Sequence, residues 1–207
     1  MINKETPELQ FSPATHQYWF EGRELLAVTH AFAKVGITAY DKVPFDLLEQ
    51  ARQKGDYVHE IAAYYGSGVL DESSIDPALG GYLEAIKKYY RERVKVVIAL
   101  EKSVYDLKFG YAGTFDLLYL THDDKLCLDD FKTPLVAHKA NRLQTAAYAY
   151  AYQKKSDTHP IDERNAVMLQ FDGNYELDKH TNPLRRDFDD FLTVLKCAIL
   201  KIQMKIK

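Results

Sequence analysis

Apolar positions recur with two different periods along this chain, and the switches between them divide it into elements. Residues 17–20 and 23–27 alternate about a turn at Glu21-Gly22, which predicts a small hairpin. Thr29 is expected to cap a short helix that ends before Gly36. Leu47, Leu48, Ala51, Val58, Ile61 and Ala62 fall at helical spacing and predict a helix over 44–65. Residues 66–77 are polar and read as a loop. A second helix follows over 79–93, with Leu83, Ile86, Tyr89 and Tyr90 facing inward. The period then shortens: 96–105, 111–120 and 125–133 are three strand-like runs separated by short polar breaks. Asn141 opens a helix to about Gln153. Two more strands, 166–171 and 175–179, are joined by Asp172-Gly173-Asn174, a hairpin turn sequence. Thr181-Asn182-Pro183 supplies a cap and a proline at the first helical position. The apolar stripe Leu184, Phe188, Phe191, Leu192, Leu195, Ile199 and Ile202 forms a closing helix.

Helices, three strands, a helix, two strands and a helix predict an α/β fold with a mixed central β-sheet flanked by helices. The length, 207 residues, favours one domain. It would have a helical part over about 28–95 and a sheet core over about 96–180, closed by the last helix. Composition narrows the function only by exclusion. Cys127 and Cys197 are the two cysteines and have no C-x-x-C companion, which excludes a zinc ribbon or a disulfide framework. The first six residues lack a signal pattern and no apolar run approaches a membrane span, so a cytoplasmic protein without membrane partners is expected. The formal net charge of −3 differs from the basic balance of many nucleic-acid-binding domains. Local basic stripes remain at Lys87-Lys88 to Lys95, at His138-Lys139 with Arg142, and at Lys154-Lys155.

The chemistry lies in the strand-like runs. In Leu126-Cys127-Leu128-Asp129-Asp130-Phe131-Lys132, alternation puts Asp130 and Lys132 on one face and Asp129 and Phe131 on the other. On the preceding run, Asp116 interrupts apolar neighbours, and a buried charge there needs a cation. A hairpin through 121–125 would bring Asp116 toward Asp130. Two converging carboxylates suit a hard divalent ion, Mg²⁺ or Mn²⁺, beside which Lys132 could serve an attacking water or a phosphate. His59-Glu60 begins like a zincin motif, but Ala63 stands where the second His is required.

These residues resemble the PD-(D/E)XK nuclease superfamily, nearest its RecB-type and phage exonuclease branches. Gly113-Thr114-Phe115-Asp116 is similar to the family's Gly-Thr-x-Asp, and Asp130-Phe131-Lys132-Thr133 to its Asp-Tyr-Lys-Thr. Gly55-Asp56-Tyr57-Val58-His59 resembles the branch's Gly-x-x-x-His helix, with the glycine leaving room on the histidine's face. Gln144 and Tyr148 resemble its Gln-x-x-x-Tyr.

The resemblance implies a restriction-endonuclease-like core with Asp116, Asp130, Lys132 and Glu101 as the catalytic set. It implies metal ligation by His59, Asp116, Asp130 and the Phe131 backbone carbonyl, and site support or DNA contact from Gln144 and Tyr148. The expected activity is Mg²⁺- or Mn²⁺-dependent DNA hydrolysis by an exonuclease of phage or mobile-element recombination and repair, working in the host cytoplasm if phage-encoded. Its substrate would carry a single-stranded end, with a recombinase, single-strand-binding protein or helicase as partner. An iron–sulfur cluster is not expected, since it needs four cysteines. The rival expectations are a structure-specific endonuclease and a non-catalytic DNA-binding or assembly protein on the same fold.

Overall fold

The computed structural model describes residues 8–13, 15–38, 43–133, 138–155 and 159–206. The N-terminal residues bearing on a signal sequence lie outside that set. Among the described residues, eight strands form one mixed sheet: β1 (Leu9–Ser12), β2 (Gln17–Phe20), β3 (Arg23–Ala27), β4 (Val94–Asp106), β5 (Tyr111–Thr121), β6 (Leu126–Lys132), β7 (Glu163–Leu169) and β8 (Tyr175–Lys179). The α-helices described are α1 (Val28–Val35), α2 (Phe45–Ser67), α3 (Gly80–Arg93), α4 (Asn141–Lys155) and α5 (Leu184–Gln203). The α/β expectation is met, with helices on both faces. One apolar cluster joins Leu118, Leu126 and Leu128 to α1, α4 and α5. A second joins Leu117, Tyr119, Cys127 and Phe131 to α2 and α3, and a third gathers Tyr18, Phe20, Leu25, Ala27 and Ala112.

The sheet extends beyond the expected 96–180, because β3 pairs in parallel with β5 and carries the N-terminal hairpin into it. Strand β1 escaped the sequence reading; its four residues have burial on one position in two at best and end at Ser12-Pro13. Other local expectations shift. Ala27, not Thr29, is the N-cap of α1, and no side chain caps it. Pro183 stands at the N-cap of α5 rather than inside its first turn. In α2 the expected inward Leu47 is 57% exposed and burial starts only at Val58, where the helix reaches the sheet. Ile202 is likewise exposed beyond the part of α5 that crosses the core. A 3₁₀ turn, Glu72–Ser74, lies in the expected loop, and a second, Pro77–Leu79, links its end to α3. Helix α4 is buried nearly all round, and its Ala146, Ala147, Ala149 and Ala151 allow a close approach to the sheet.

The pairing of β5 creates the feature that matters most. One edge of β5 is covered by β4 along its whole length. The other edge meets β6 only at residues 117–120 and β3 only at 111–112. Between those contacts the sheet forks, and Asp116 sits in the fork.

Candidate active site

Asp116 turns its carboxylate into the gap where β5 and β6 part. Its Oδ2 accepts a hydrogen bond from the Phe131 backbone N–H at 2.5 Å, continuing the strand contact by side chain where backbone pairing has ended. In a strand, one residue's N–H and C=O point toward the same neighbour. The Phe131 carbonyl therefore also faces β5 and the fork.

Glu101 stands opposite Asp116, since Leu100 pairs with Leu117 and Lys102 with Phe115. Its φ of 45° lies in the left-handed region that a side chain with a Cβ resists, so backbone strain is stored at this point of β4. From the other direction, α2 delivers His59, whose Nδ1 lies 3.1 Å from Asp116 Oδ1. Ligand atoms of His59, Glu101 and Asp116 all fall within 4.8 Å of one another. A Cβ on Gly55 would meet only Thr133 Oγ1 at 3.9 Å, an ordinary contact. The expectation that this glycine makes room is therefore not supported by its surroundings.

Asp130 and Lys132 share a face, and their charged groups are in contact. Asp130 is buried, and its Oδ2 is the oxygen that the Lys132 ammonium meets. The Gln144 amide approaches its Oδ1 at 3.4 Å and donates to Tyr148 Oη at 3.0 Å. Both Gln144 and Tyr148 are buried, which gives them a supporting place rather than a surface for contacting DNA. Tyr148 fits only because residue 113 is glycine; a Cβ there would collide with its ring.

Three carboxylates face one lysine and one histidine. Glu101 keeps solvent access, yet dehydration against the sheet, then the charge of Asp116, push its carboxyl up to about 8. Burial also raises Asp130, with Asp116 adding to the effect against Lys132. Burial opposes ionisation of Asp116 as well, but His59 first, then Lys132 and the Phe131 N–H, hold it below its ordinary value. Burial opposes the His59 cation, and the Asp116 charge and hydrogen bond outweigh it, lifting the imidazole to about 9. A cluster in which two of three acids are raised and a histidine is raised beside the third lacks positive charge. The donor set, carboxylates with one imidazole, fits a divalent ion in the fork.

Some of the supporting residues were not foreseen. Asp129 points away from Asp130, as alternation requires, and accepts from Tyr89 at 2.5 Å, Tyr119 at 3.0 Å and Asn165 at 2.7 Å. Ser103 and Tyr18 each hydrogen-bond Thr114 Oγ1 at 2.9 Å. Ser103 and Thr114 stand two positions from Glu101 and Asp116, the one signal that could have marked them. Of the basic stripes, Lys95 pairs with Asp124 and Lys154 with Asp106, while the side chain of Lys155 lies outside the described residues. Models of known protein families give no match to this chain, and neither do curated proteins.

Proposed function

We propose that the chain is a metal-dependent nuclease of the PD-(D/E)XK kind, hydrolysing DNA phosphodiester bonds. The observation that carries this reading is the convergence of His59, Glu101 and Asp116 in the fork of the sheet, beside the Asp130–Lys132 pair. His59, Glu101 and Asp116 would hold Mg²⁺ or Mn²⁺, with Asp130 and the Phe131 carbonyl at the same gap. When bound, such an ion lowers the pKa of a water and offsets negative charge on a phosphate.

The remaining work falls to the chain's own groups. Lys132 stands at the solvent side of Asp130 and is 22% exposed, so its ammonium can reach a substrate. There it orients the attacking water or neutralises a phosphoryl oxygen. Asp130 aims Lys132 by direct charge contact. Gln144 restrains Asp130 and is itself held by Tyr148. His59 must give up its proton to offer a lone pair, so loading the site releases protons. Exonuclease action on a single-stranded end, leaving a 5′-phosphate, is the finer part of this reading.

The test is digestion of end-labelled single- and double-stranded DNA with Mg²⁺, Mn²⁺ or EDTA. Cleavage is expected with either ion and none in EDTA; activity in excess chelator would overturn the metal requirement. Closed single-stranded circles should survive if the enzyme needs an end, and their loss would assign an endonuclease instead.

A further inference from the structure

Strands β6 and β7 run parallel, so Lys132 at the end of one and the β7–β8 turn at the end of the other reach the same edge of the sheet. The carboxyl edge of parallel strands is where ligands of such sheets gather. Lys132 pairs with Met168, and Phe171 lies three residues further on, roughly 10 Å along the strand direction. Phe171 is 58% exposed, yet the turn that carries it is fixed. Its carbonyl lies against Gly81 of α3, where there is no room for a Cβ, and the Gln170 N–H donates to the Asn174 carbonyl at 2.9 Å. The Tyr82 ring supports the Phe171 ring at 66°, with centroids 5.9 Å apart.

Helix α2 stands over the same edge. Leu47, Ala51, Lys54, Val58 and Ile61 form one stripe along it. Val58 and Ile61 are buried with residues of α3 and the sheet, whereas Leu47, Ala51 and Lys54 are exposed, ahead of the point where the helix meets the sheet. The Lys54 ammonium stands 5.7 Å from the Tyr82 ring centroid and has no ion pair or hydrogen bond among the described residues. Its neighbour Gly55 lies against Thr133, the residue after Lys132, which places Lys54 beside the mouth of the fork. Acidic groups near the turn are already engaged: Asp172 accepts from the Asn174 N–H at 3.0 Å, and Glu84 pairs with Lys87 at 3.1 Å. A fixed aromatic ring and an unpaired cation match the two parts of a nucleotide, its base and its phosphate. An apolar protein partner would bury the Lys54 charge without a counter-charge.

We propose that Phe171 is the platform on which an unpaired base of the bound strand stacks, with Lys54 neutralising a phosphate beside it. The base belongs to a nucleotide neighbouring the one whose phosphate enters the fork. This rests on the nuclease reading for the identity of the strand. It deepens that reading, because a base inside a duplex has both faces covered by its neighbours and only an unpaired one can offer a face to the ring.

The experiment compares the parent with Phe171→Ala, Phe171→Trp and Lys54→Gln, each with its melting temperature checked. A labelled 12-nucleotide single strand and an abasic strand of the same length are titrated in Ca²⁺ at several salt concentrations and followed by anisotropy. Phe171→Ala should bind the base-bearing strand at least about fivefold more weakly. It should bind the abasic strand as the parent does, and Phe171→Trp should keep the parent's affinity for both. Lys54→Gln should weaken both strands, with a salt dependence shallower by about 0.7 of a unit of slope. Unchanged affinity of Phe171→Ala for the base-bearing strand, or equal loss for the two strands, would overturn the platform even if the parent cleaves DNA. A concentration-dependent dimer of the parent that Phe171→Ala abolishes, with DNA affinity unchanged, would overturn it too and give the ring to a second copy of the chain. Base-dependent loss in Phe171→Ala beside a parent that cleaves no DNA would instead sink the nuclease reading and leave the platform.

Discussion

Asp129 and Asp130 are adjacent, both buried and both raised by that burial, yet they face different layers of the molecule. Alternation in the strand made that division legible before the structure; what was not legible is that Asp129 holds three partners on the far side. Burial pushes Asp129 up to about 6 despite the hydrogen bonds from Tyr89, Asn165 and Tyr119. Its folded value exceeds its unfolded one, so the folded state binds the extra proton and stability falls as pH rises from about 3.8 to about 6. Asp129→Asn should remove that fall but put an amide NH2 where the Tyr89 and Tyr119 hydroxyls now donate, costing about 1–3 kcal/mol. Urea unfolding of parent and variant between pH 4 and 7 measures both effects, and parallel pH profiles would contradict this role. For His59, raised to about 9, the ion pair with Asp116 contributes fully below about 6.5 and is lost as pH rises through 9. The same proton competes with metal. Mn²⁺ affinity should therefore climb up to about tenfold per pH unit toward 9, more steeply below about 8, where Glu101 also releases a proton. His59→Ala should weaken Mn²⁺ binding and flatten that climb, with excess Mn²⁺ partly restoring activity. Calorimetric titration at pH 7, 8 and 9 checks it; a flat parental profile would contradict it.

Among the elements, β5 shows where sequence and structure part company. Its position, its limits within a residue or two and its interrupting Asp116 could all be read from the alternation of apolar residues. The fork could not, because it arises from β3 and β6 sharing one edge of β5, a long-range pairing that no local pattern records. The strained backbone at Glu101 was hidden for the same reason. Glu101→Gly should relieve about 1–2 kcal/mol of left-handed strain, partly offset by about 0.5–1 kcal/mol of added chain entropy. The metal-free variant should then melt at or above the parent's temperature while binding Mn²⁺ more weakly. A lower melting temperature with unchanged Mn²⁺ affinity would show that Glu101 is purely structural. Across the sheet, Gly113 and Tyr148 form a pair in which one is small so that the other can reach Gln144. Gly113→Ala should cost about 1–3 kcal/mol of overpacking and reduce cleavage sharply. Tyr148→Phe keeps the ring and should cost less in both. Equal activity in Gly113→Ala and the parent would remove Tyr148 from the support of the site.

At the scale of the whole molecule, the layers and helix order follow from the switch in apolar period, and the fold class was readable for that reason. The net charge of −3 was a poor guide. It averages carboxylates gathered in the fork with charges paired elsewhere, such as Asp187 of α5 with Arg142 and Arg164, and only the folded chain separates them. Under the proposed function, hydrolysis depends on a divalent ion held in the fork, with Asp130 and Lys132 serving it. Single-turnover cleavage of an end-labelled DNA strand over a range of Mn²⁺ concentrations tests this directly, with parent, Asp130→Asn and Asp129→Asn confirmed as folded by circular dichroism. The parent should cleave only with metal. Asp130→Asn should be slower by at least about a hundredfold at saturating Mn²⁺, about 2.7 kcal/mol of transition-state stabilisation. Folded Asp129→Asn should stay within about tenfold of the parent. Metal-independent cleavage, or an active Asp130→Asn beside a folded but inactive Asp129→Asn, would contradict the account.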